Sequence, residues 1–351
     1  MEKYYITTPI YYVNDKPHIG HAYTTILADT ISRFRALIGE NPTFLTGLDE
    51  HGLKVQQAAE KNGKKPQDHC DSMAPAFIDL WKKLNINYSD FIRTTEHRHT
   101  KIVQQILTKV HESGDIYMDE YEGWYSISEE RFITEKELDS GQFGEVKQIK
   151  EKNYFFKMSK YQTTLINKIE KDELLIQPKS RKNEVLGFLK NELSDLCISR
   201  PKSRLEWGIE LPFDDNYVTY VWFDALINYI SAIGLYKDDK QFSSLWPADV
   251  HLIGKDILTT HSVYWPTMLL SLGLPLPQRI FAHGWWLTDD KKMSKSLGNV
   301  VSPLMLIDDF GVDSVRYYLM SEMVLGMDAT FSSESFEKKN NSDLASAFEH
   351  L

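Results

Sequence analysis

The chain has 351 residues, 42% hydrophobic and 26% charged, with a net charge of −10. That is an ordinary globular composition, and it excludes a strongly basic nucleic-acid coat protein while leaving room for local basic patches. Two distant cysteines, Cys70 and Cys197, form no CxxC pair, so no disulfide framework or thiolate zinc site is readable and a reducing cytoplasm is expected. No apolar run approaches the roughly 20 residues of a membrane span, and no basic, Ser-rich leader precedes Lys3.

The opening, Tyr4 to Val13, is rich in aromatic and β-branched residues and reads as a strand. Asn14 to Pro17 is a turn. A helix is expected from His18 to Ile38, stopped by Gly39, with Leu27, Ile31, Phe34 and Ile38 as its buried stripe. Asn41 to Gly47 reads as a second strand, with Asp49-Glu50-His51-Gly52 just past its end. Helical patterns follow over Pro66 to Leu84 and His97 to Ser113. This β-α-β order implies a parallel sheet, in which ligands bind beyond the carboxyl ends of strands. Near Asp115 the composition turns to Tyr, Glu, Lys and Ser with Gly turns, as an inserted domain would. The α/β pattern resumes as a strand at Tyr217 to Trp222. It continues with a strand at Asp249 to Gly254, a helix from Ile257 to Leu272 and a strand from Arg279 to His283. A lysine-rich loop and a mostly helical tail close the chain. The expected fold is thus an α/β, Rossmann-like parallel sheet split by an insertion. Its parts are residues 1–114, an insertion at 115–215, a second half at 216–286, and a lysine-loop and helical region at 287–351.

Two motifs carry chemistry. His18-Ile19-Gly20-His21 puts a small residue and two imidazoles on the first turn of a helix, where free N–H groups and the positive dipole end suit phosphate oxygens. Alone, such a pair is more often structural or metal-binding than nucleotide-binding. Lys292-Met293-Ser294-Lys295-Ser296 places two ammonium groups on a loop that Gly298 lets bend, fit to neutralise a pyrophosphate leaving group. The alternative is a solvated charged loop. Together, on either side of an α/β domain, they read as two halves of one ATP site that forms an aminoacyl-adenylate.

With these motifs the chain resembles the class I aminoacyl-tRNA synthetases, and among them the methionyl-tRNA synthetases. Pro9 to Asn14, Thr46 to Gly52, Tyr220 to Ala225, Gly254 to Ile257, Tyr264 to Pro266, Ala282 to Trp285 and Ser296 to Val301 match the family as well. The resemblance implies a methionine pocket of Ile10, Tyr12, Trp222, Ala225, Tyr229, Ile257, His261 and Trp265, with Asp49 pairing with the α-ammonium. It implies an ATP site of His18, Gly20, His21, Gly254, Asp256, His283 and Lys295. Asp256 would take the ribose hydroxyls. His18, His21, Lys292 and Lys295 would be catalytic, with Mg²⁺ bridging the β- and γ-phosphates. The implied partners are L-methionine, ATP and the acceptor end of tRNA(Met), with no membrane. The family also cyclises homocysteine in this site, and that editing is expected here. An aromatic pocket suits a thioether, although Trp222, Tyr229 and Trp265 would otherwise read as core.

Two stretches depart from the family. In many relatives the insertion carries cysteine zinc knuckles. Here Ser126 and Ser128 stand within Gly123 to Phe132 where thiolates would be, so no structural zinc is expected. Phe336 to Leu351 resembles only the start of the helical bundle that reads the anticodon, so the 351 residues are expected to activate methionine but to charge tRNA poorly. Lys150, Lys152, Lys179, Arg181 and Lys182 are candidate acceptor-stem contacts, or a solvated charged face. The competing readings are an adenylate-forming paralogue with another acceptor, a small-molecule nucleotidyltransferase, and a non-catalytic relic. The presence of His18, His21, Asp49 and Lys295 argues against the last.

Overall fold

A computed structural model describes residues 2–126, 131–133, 138–139, 145–288, 291–292 and 301–346. Its centre is a seven-stranded, all-parallel sheet. β1 (Lys3–Thr7) is paired on one side with β3 (Asn41–Asp49), which also pairs with β2 (Tyr11–Tyr12) and β4 (Asp90–Arg93). On its other side β1 pairs with Val250–Gly254, which pairs with Arg279–His283, and that strand pairs with the edge strand Leu175–Gln177. Side chains alternate between two buried faces. Tyr4, Ile6, Phe44 and Leu252 enter one core; Tyr5, Leu45 and Ile253 enter the other. A parallel sheet covered on both sides accounts for its nearly continuous apolar strands.

Helix α1 (Ile19–Leu37) and α3 (Pro66–Lys83) cover the first face, joined by the C-terminal helices Pro303–Phe310 and Val312–Glu322. Helix α2 (Leu53–Lys61) lies between β3 and α3, and α4 (His97–Glu112) packs on the second face. Among the described residues no helix is long and apolar enough to cross a membrane.

The structure departs from the sequence reading in four places. In α1 only Leu27 of the expected stripe is buried. Phe34 and Ile38 are more than half exposed, and the core face is Ile19, Ala22, Tyr23 and Ile26. Within 115–215, the strand Leu175–Gln177 belongs to the central sheet, because its parallel partner Arg279–His283 needs an edge cover. The same segment also holds an antiparallel pair, Ile116–Ser126 against Val146–Phe156, and the helices Gln162–Glu170 and Lys179–Phe188. Tyr217 to Trp222 is not one strand. Asp214–Thr219 lies in a small antiparallel sheet, and Val221–Leu226 is already helical. The expected helix from Ile257 to Leu272 is present without a gap to Ser271 but is not uniformly α, passing from a 3₁₀ turn (Lys255–Ile257) through a π turn (Thr260–Tyr264) to an α-helix (Trp265–Ser271). Pro266 has no N–H to close an ordinary turn onto Ser262, and the backbone widens just before it.

Candidate active site

The carboxyl ends of the central strands surround a cavity of about 450 Å³. Its lining includes Ile10, Tyr12, Asp49, Trp222, Ala225, Tyr229, Ile257 and His261 from the expected methionine set, and His18, Gly20, His21, Gly254, Asp256 and His283 from the expected ATP set. The lining does not include Trp265, which is fully buried behind Tyr229 with ring centroids 5.8 Å apart and donates its indole N–H to His251 Nε2 at 3.1 Å. Trp265 therefore shapes the pocket wall from behind.

The His18–His21 turn fixes the state of both imidazoles. His18 is the N-cap of α1, and its Nδ1 accepts from the backbone N–H of Gly20 at 3.0 Å. His21 Nδ1 accepts from the His18 N–H at 3.1 Å. With both Nδ1 atoms accepting, each neutral ring carries its proton on Nε2, as a hydrogen-bond donor. Burial and the neighbouring His18 hold the His21 imidazolium well below its ordinary pKa. A Cβ on Gly20 would sit 2.9 Å from His18 Cε1, so this packing of ring on backbone requires glycine. His283 is tied instead to Thr24 Oγ1 at 2.8 Å and to its neighbour's carbonyl, Gly284 O, at 2.7 Å. With both ring nitrogens engaged, it fastens α1 to the strand Arg279–His283 and offers the cavity only its ring.

The wall expected to take methionine mixes the aromatic Tyr12, Trp222, Tyr229 and His261 with the aliphatic Ile10, Ala225 and Ile257. Tyr229 O–H meets His261 Nε2 at 2.7 Å, and His261 Nδ1 donates to Ile257 O at 3.0 Å. Burial holds the His261 pKa down to about 4, so the ring is neutral at pH 7. A long, polarisable thioether suits such a wall.

Asp49 enters from the end of β3, and the residues after it are pinned on several sides. Glu50 is fully buried. It pairs with Arg93 at 2.7 Å and accepts from the Thr95 hydroxyl, and its own N–H donates to Thr94 Oγ1. Trp207 donates its indole N–H to Glu50 O at 2.5 Å, and Gly52 N–H donates to Trp207 O. Gly52 has φ +107°, and a Cβ there would lie 2.5 Å from the Tyr12 hydroxyl. His51 Nδ1 meets Asp224 Oδ2 at 2.6 Å. The other oxygen of Asp224 meets His99 Nε2 at 2.6 Å, and His99 Nδ1 reaches Ser231 Oγ at 2.8 Å. Burial pushes the Asp224 carboxyl up, but the His51 charge and the bonds from His51 and His99 outweigh it and hold it below its ordinary value. Asp224 sits between Trp222 and Ala225, both on the cavity wall. The sequence reading gave none of Asp224, His51 and His99 a role. A carboxylate inside the apolar run Tyr220 to Ala225 was the available signal.

Lys292 lies in the short strand Lys291–Lys292, which pairs antiparallel with Trp286–Thr288 beside the cavity residue Trp286. Lys295 and the rest of the loop lie outside the described residues, as do Ile127 to Glu130 of the expected zinc-free stretch. Among the described residues no cluster of three or more His, Cys, Asp or Glu side chains is placed to hold a metal ion. Of the candidate acceptor-stem cations, Lys150 lies 3.5 Å from Glu120 and from Glu122, Arg181 lies 2.6 Å from Glu184, and Lys182 lies 2.6 Å from Asp172.

The sequence matches the family described as tRNA synthetases class I (M) over residues 4–142 and 139–351. The chain belongs to that family. It is 52% identical over 354 residues to the methionine–tRNA ligase of Clostridium tetani, covering 99% of this chain and 55% of that protein. With the Bacillus subtilis methionine–tRNA ligase it shares 47% over 365 residues, again 99% of this chain and 55% of the relative. The chain thus spans about half the length of these relatives. Among solved structures, Mycobacterium tuberculosis methionyl-tRNA synthetase in complex with methionyl-adenylate superposes with a TM-score of 0.94 at 42% identity, covering 98% of this chain and 69% of that one. The free-state structure of the same enzyme gives 0.80 at 38% identity. The α/β fold with a connective insertion is that of the catalytic part of these synthetases.

Proposed function

We propose that the chain activates L-methionine with ATP to methionyl-adenylate and passes the methionyl group to the terminal adenosine of tRNA(Met). The observation that carries this reading is one cavity with two unlike ends. One end is a wall of aromatic and aliphatic side chains closed by Asp49, and the other is a helix start bearing two imidazoles locked as donors. The higher similarity to the adenylate-bound relative than to its free form supports it as well.

Asp49 takes the α-ammonium, and the wall of Ile10, Tyr12, Trp222, Ala225, Tyr229, Ile257 and His261 takes the side chain, backed by Trp265. The methionine carboxylate attacks the α-phosphate in line and pyrophosphate leaves. His18 and His21 donate from Nε2 to phosphate oxygens as charge builds, and Asp256 accepts from the ribose hydroxyls. Lys292 and Lys295 neutralise the departing pyrophosphate. Mg²⁺, when bound with the nucleotide, adds charge neutralisation at the β- and γ-phosphates. In the second step a ribose hydroxyl of the tRNA end attacks the adenylate. The work of such a ligase places the chain in the cytoplasm.

Amino-acid-dependent ATP–pyrophosphate exchange, run without tRNA across all twenty amino acids, tests the reading. Exchange with methionine alone is expected, and Lys295→Ala is expected to abolish it while methionine binding persists. A folded sample that exchanges with no amino acid would overturn it in favour of a binding relic.

A further inference from the structure

Asp256 does not stand alone at the nucleotide end of the cavity. Its Oδ1 accepts a hydrogen bond from the indole N–H of Trp285 at 3.2 Å, and both residues line the cavity. Trp285 is itself held from two directions. The Lys255 ammonium lies over its ring, 4.1 Å from the centroid, and its backbone N–H donates to Asp328 Oδ1 at 2.8 Å. Lys255 and Asp328 close the circuit with an ion pair at 2.7 Å. The neighbouring backbones are in contact too, since a Cβ on Gly284 would lie 2.0 Å from Met327 O. One side chain, Trp285, thus reaches the Asp256 carboxylate, and two more, Lys255 and Asp328, hold Trp285.

A carboxylate that takes a ribose diol must present both oxygens at a fixed angle, and a free carboxylate rotates about its last bond. Each oxygen accepts two bonds, so a donor on Oδ1 sets the angle while leaving room for one hydroxyl there and another on Oδ2. We infer that Trp285 is a positioning residue for the nucleotide: its indole N–H orients Asp256 toward the ribose hydroxyls, and Lys255 with Asp328 holds the indole in place. This rests on the reading of Asp256 as the ribose acceptor. Trp285 acts through Asp256 and touches no reacting atom.

The test measures ATP–pyrophosphate exchange with ATP, 2′-deoxy-ATP and 3′-deoxy-ATP, for the unaltered chain and for Trp285→Phe. The substitution keeps a ring under Lys255 and removes the N–H. The KM for ATP is expected to rise about tenfold, the scale of one hydrogen bond to a charged group. The KM for methionine should stay within about twofold, as for a site that is not coupled. The decisive readout is the preference for ATP over each deoxynucleotide, which should shrink in Trp285→Phe by a similar factor, because a misaimed Asp256 gains less from the hydroxyls. Trp285→His, which keeps a ring N–H, should recover part of that preference. An unchanged preference in Trp285→Phe, whatever happens to KM, overturns the proposal. So does a methionine KM that rises in step with that for ATP, since that marks a merely structural loss. If the unaltered chain exchanges but does not prefer ATP over its deoxy forms, the assignment of Asp256 falls and this inference with it. If it exchanges with no amino acid, the functional reading itself has failed.

Discussion

At the scale of single residues, the site depends on residues outside the cavity lining. Gly52 is the sharpest case. An alanine there would carry a side chain at φ +107° and press its Cβ against the Tyr12 hydroxyl. Strain of this kind costs about 1–3 kcal/mol, so Gly52→Ala should raise the methionine KM in exchange by about tenfold or more. The KM for ATP should stay nearly unchanged. Asp224 is the second case. Fully buried and bonded to His51 and His99, it ties the pocket helix Val221–Leu226 to the end of β3 and to α4. Asp224→Asn turns one of the two acceptor oxygens that face His51 and His99 into a donor, leaving a buried hydrogen bond unmade, and should lower unfolding stability by about 1–3 kcal/mol in urea titration. The sequence showed the anomaly of a carboxylate in an apolar run. It could not show the partners, which lie 173 and 125 residues away and meet it only in the fold.

At the scale of elements, α1 carries the His18–His21 turn, and one buried charge sets its position. Asp29 pairs with Arg33 at 2.8 Å and with Arg316 at 2.6 Å, and accepts from the Asn87 N–H at 2.8 Å. Arg316 belongs to the helix Val312–Glu322, so this pair locks α1 to the C-terminal helices. The Arg33 side chain is 47% exposed and that of Arg316 only 16%. Solvent screens the first pair more, so Arg316→Ala should destabilise by about 2–4 kcal/mol and Arg33→Ala by less than about 1 kcal/mol, read as midpoint shifts in urea. Element ends were largely legible where a local signal fixes them, as with the His18 cap and the glycine after α1. The failures are tertiary. The expected apolar stripe of α1 runs on to Phe34 and Ile38, but the sheet ends before they can reach it. In Tyr217 to Trp222 the β-rich composition gives no sign that the backbone turns helical at Val221. The site was legible mainly through its family likeness, because a Trp or Tyr in a pocket and one in a core look alike in a single sequence.

At the scale of the whole molecule, the fold holds a set of imidazoles neutral. Burial lowers the pKa of His21, His251, His261 and His283, that of His261 to about 4. Unfolding restores values near 6.5, so between these limits the unfolded chain binds protons that the folded chain refuses. Stability from this source is fully present above about pH 6.5 and is lost as pH falls toward 4, with His261 alone contributing up to roughly 3 kcal/mol. Melting temperature should therefore drop steeply across that window, and His261→Gln should flatten the slope even if it lowers the plateau. A melting temperature that stays level from pH 7 to 4.5 would contradict this account.

The two strands at the centre of the sheet also constrain how the molecule is made. Ile6 pairs with Val250, so the middle of the sheet joins the first residues of the chain to ones far downstream. Loops of that span close slowly, and pairings of high sequence separation slow folding. At a ribosomal rate of about 5–20 residues per second, β1 waits on the order of 10–50 s before its partner exists. For that time β1 and β3 have each other and the face of α1, while the far edge of β1 remains an open, apolar template. A nascent chain in this state is a natural client for chaperones, and the inserted antiparallel pair, whose two strands are close in sequence, can be complete before the sheet that carries it.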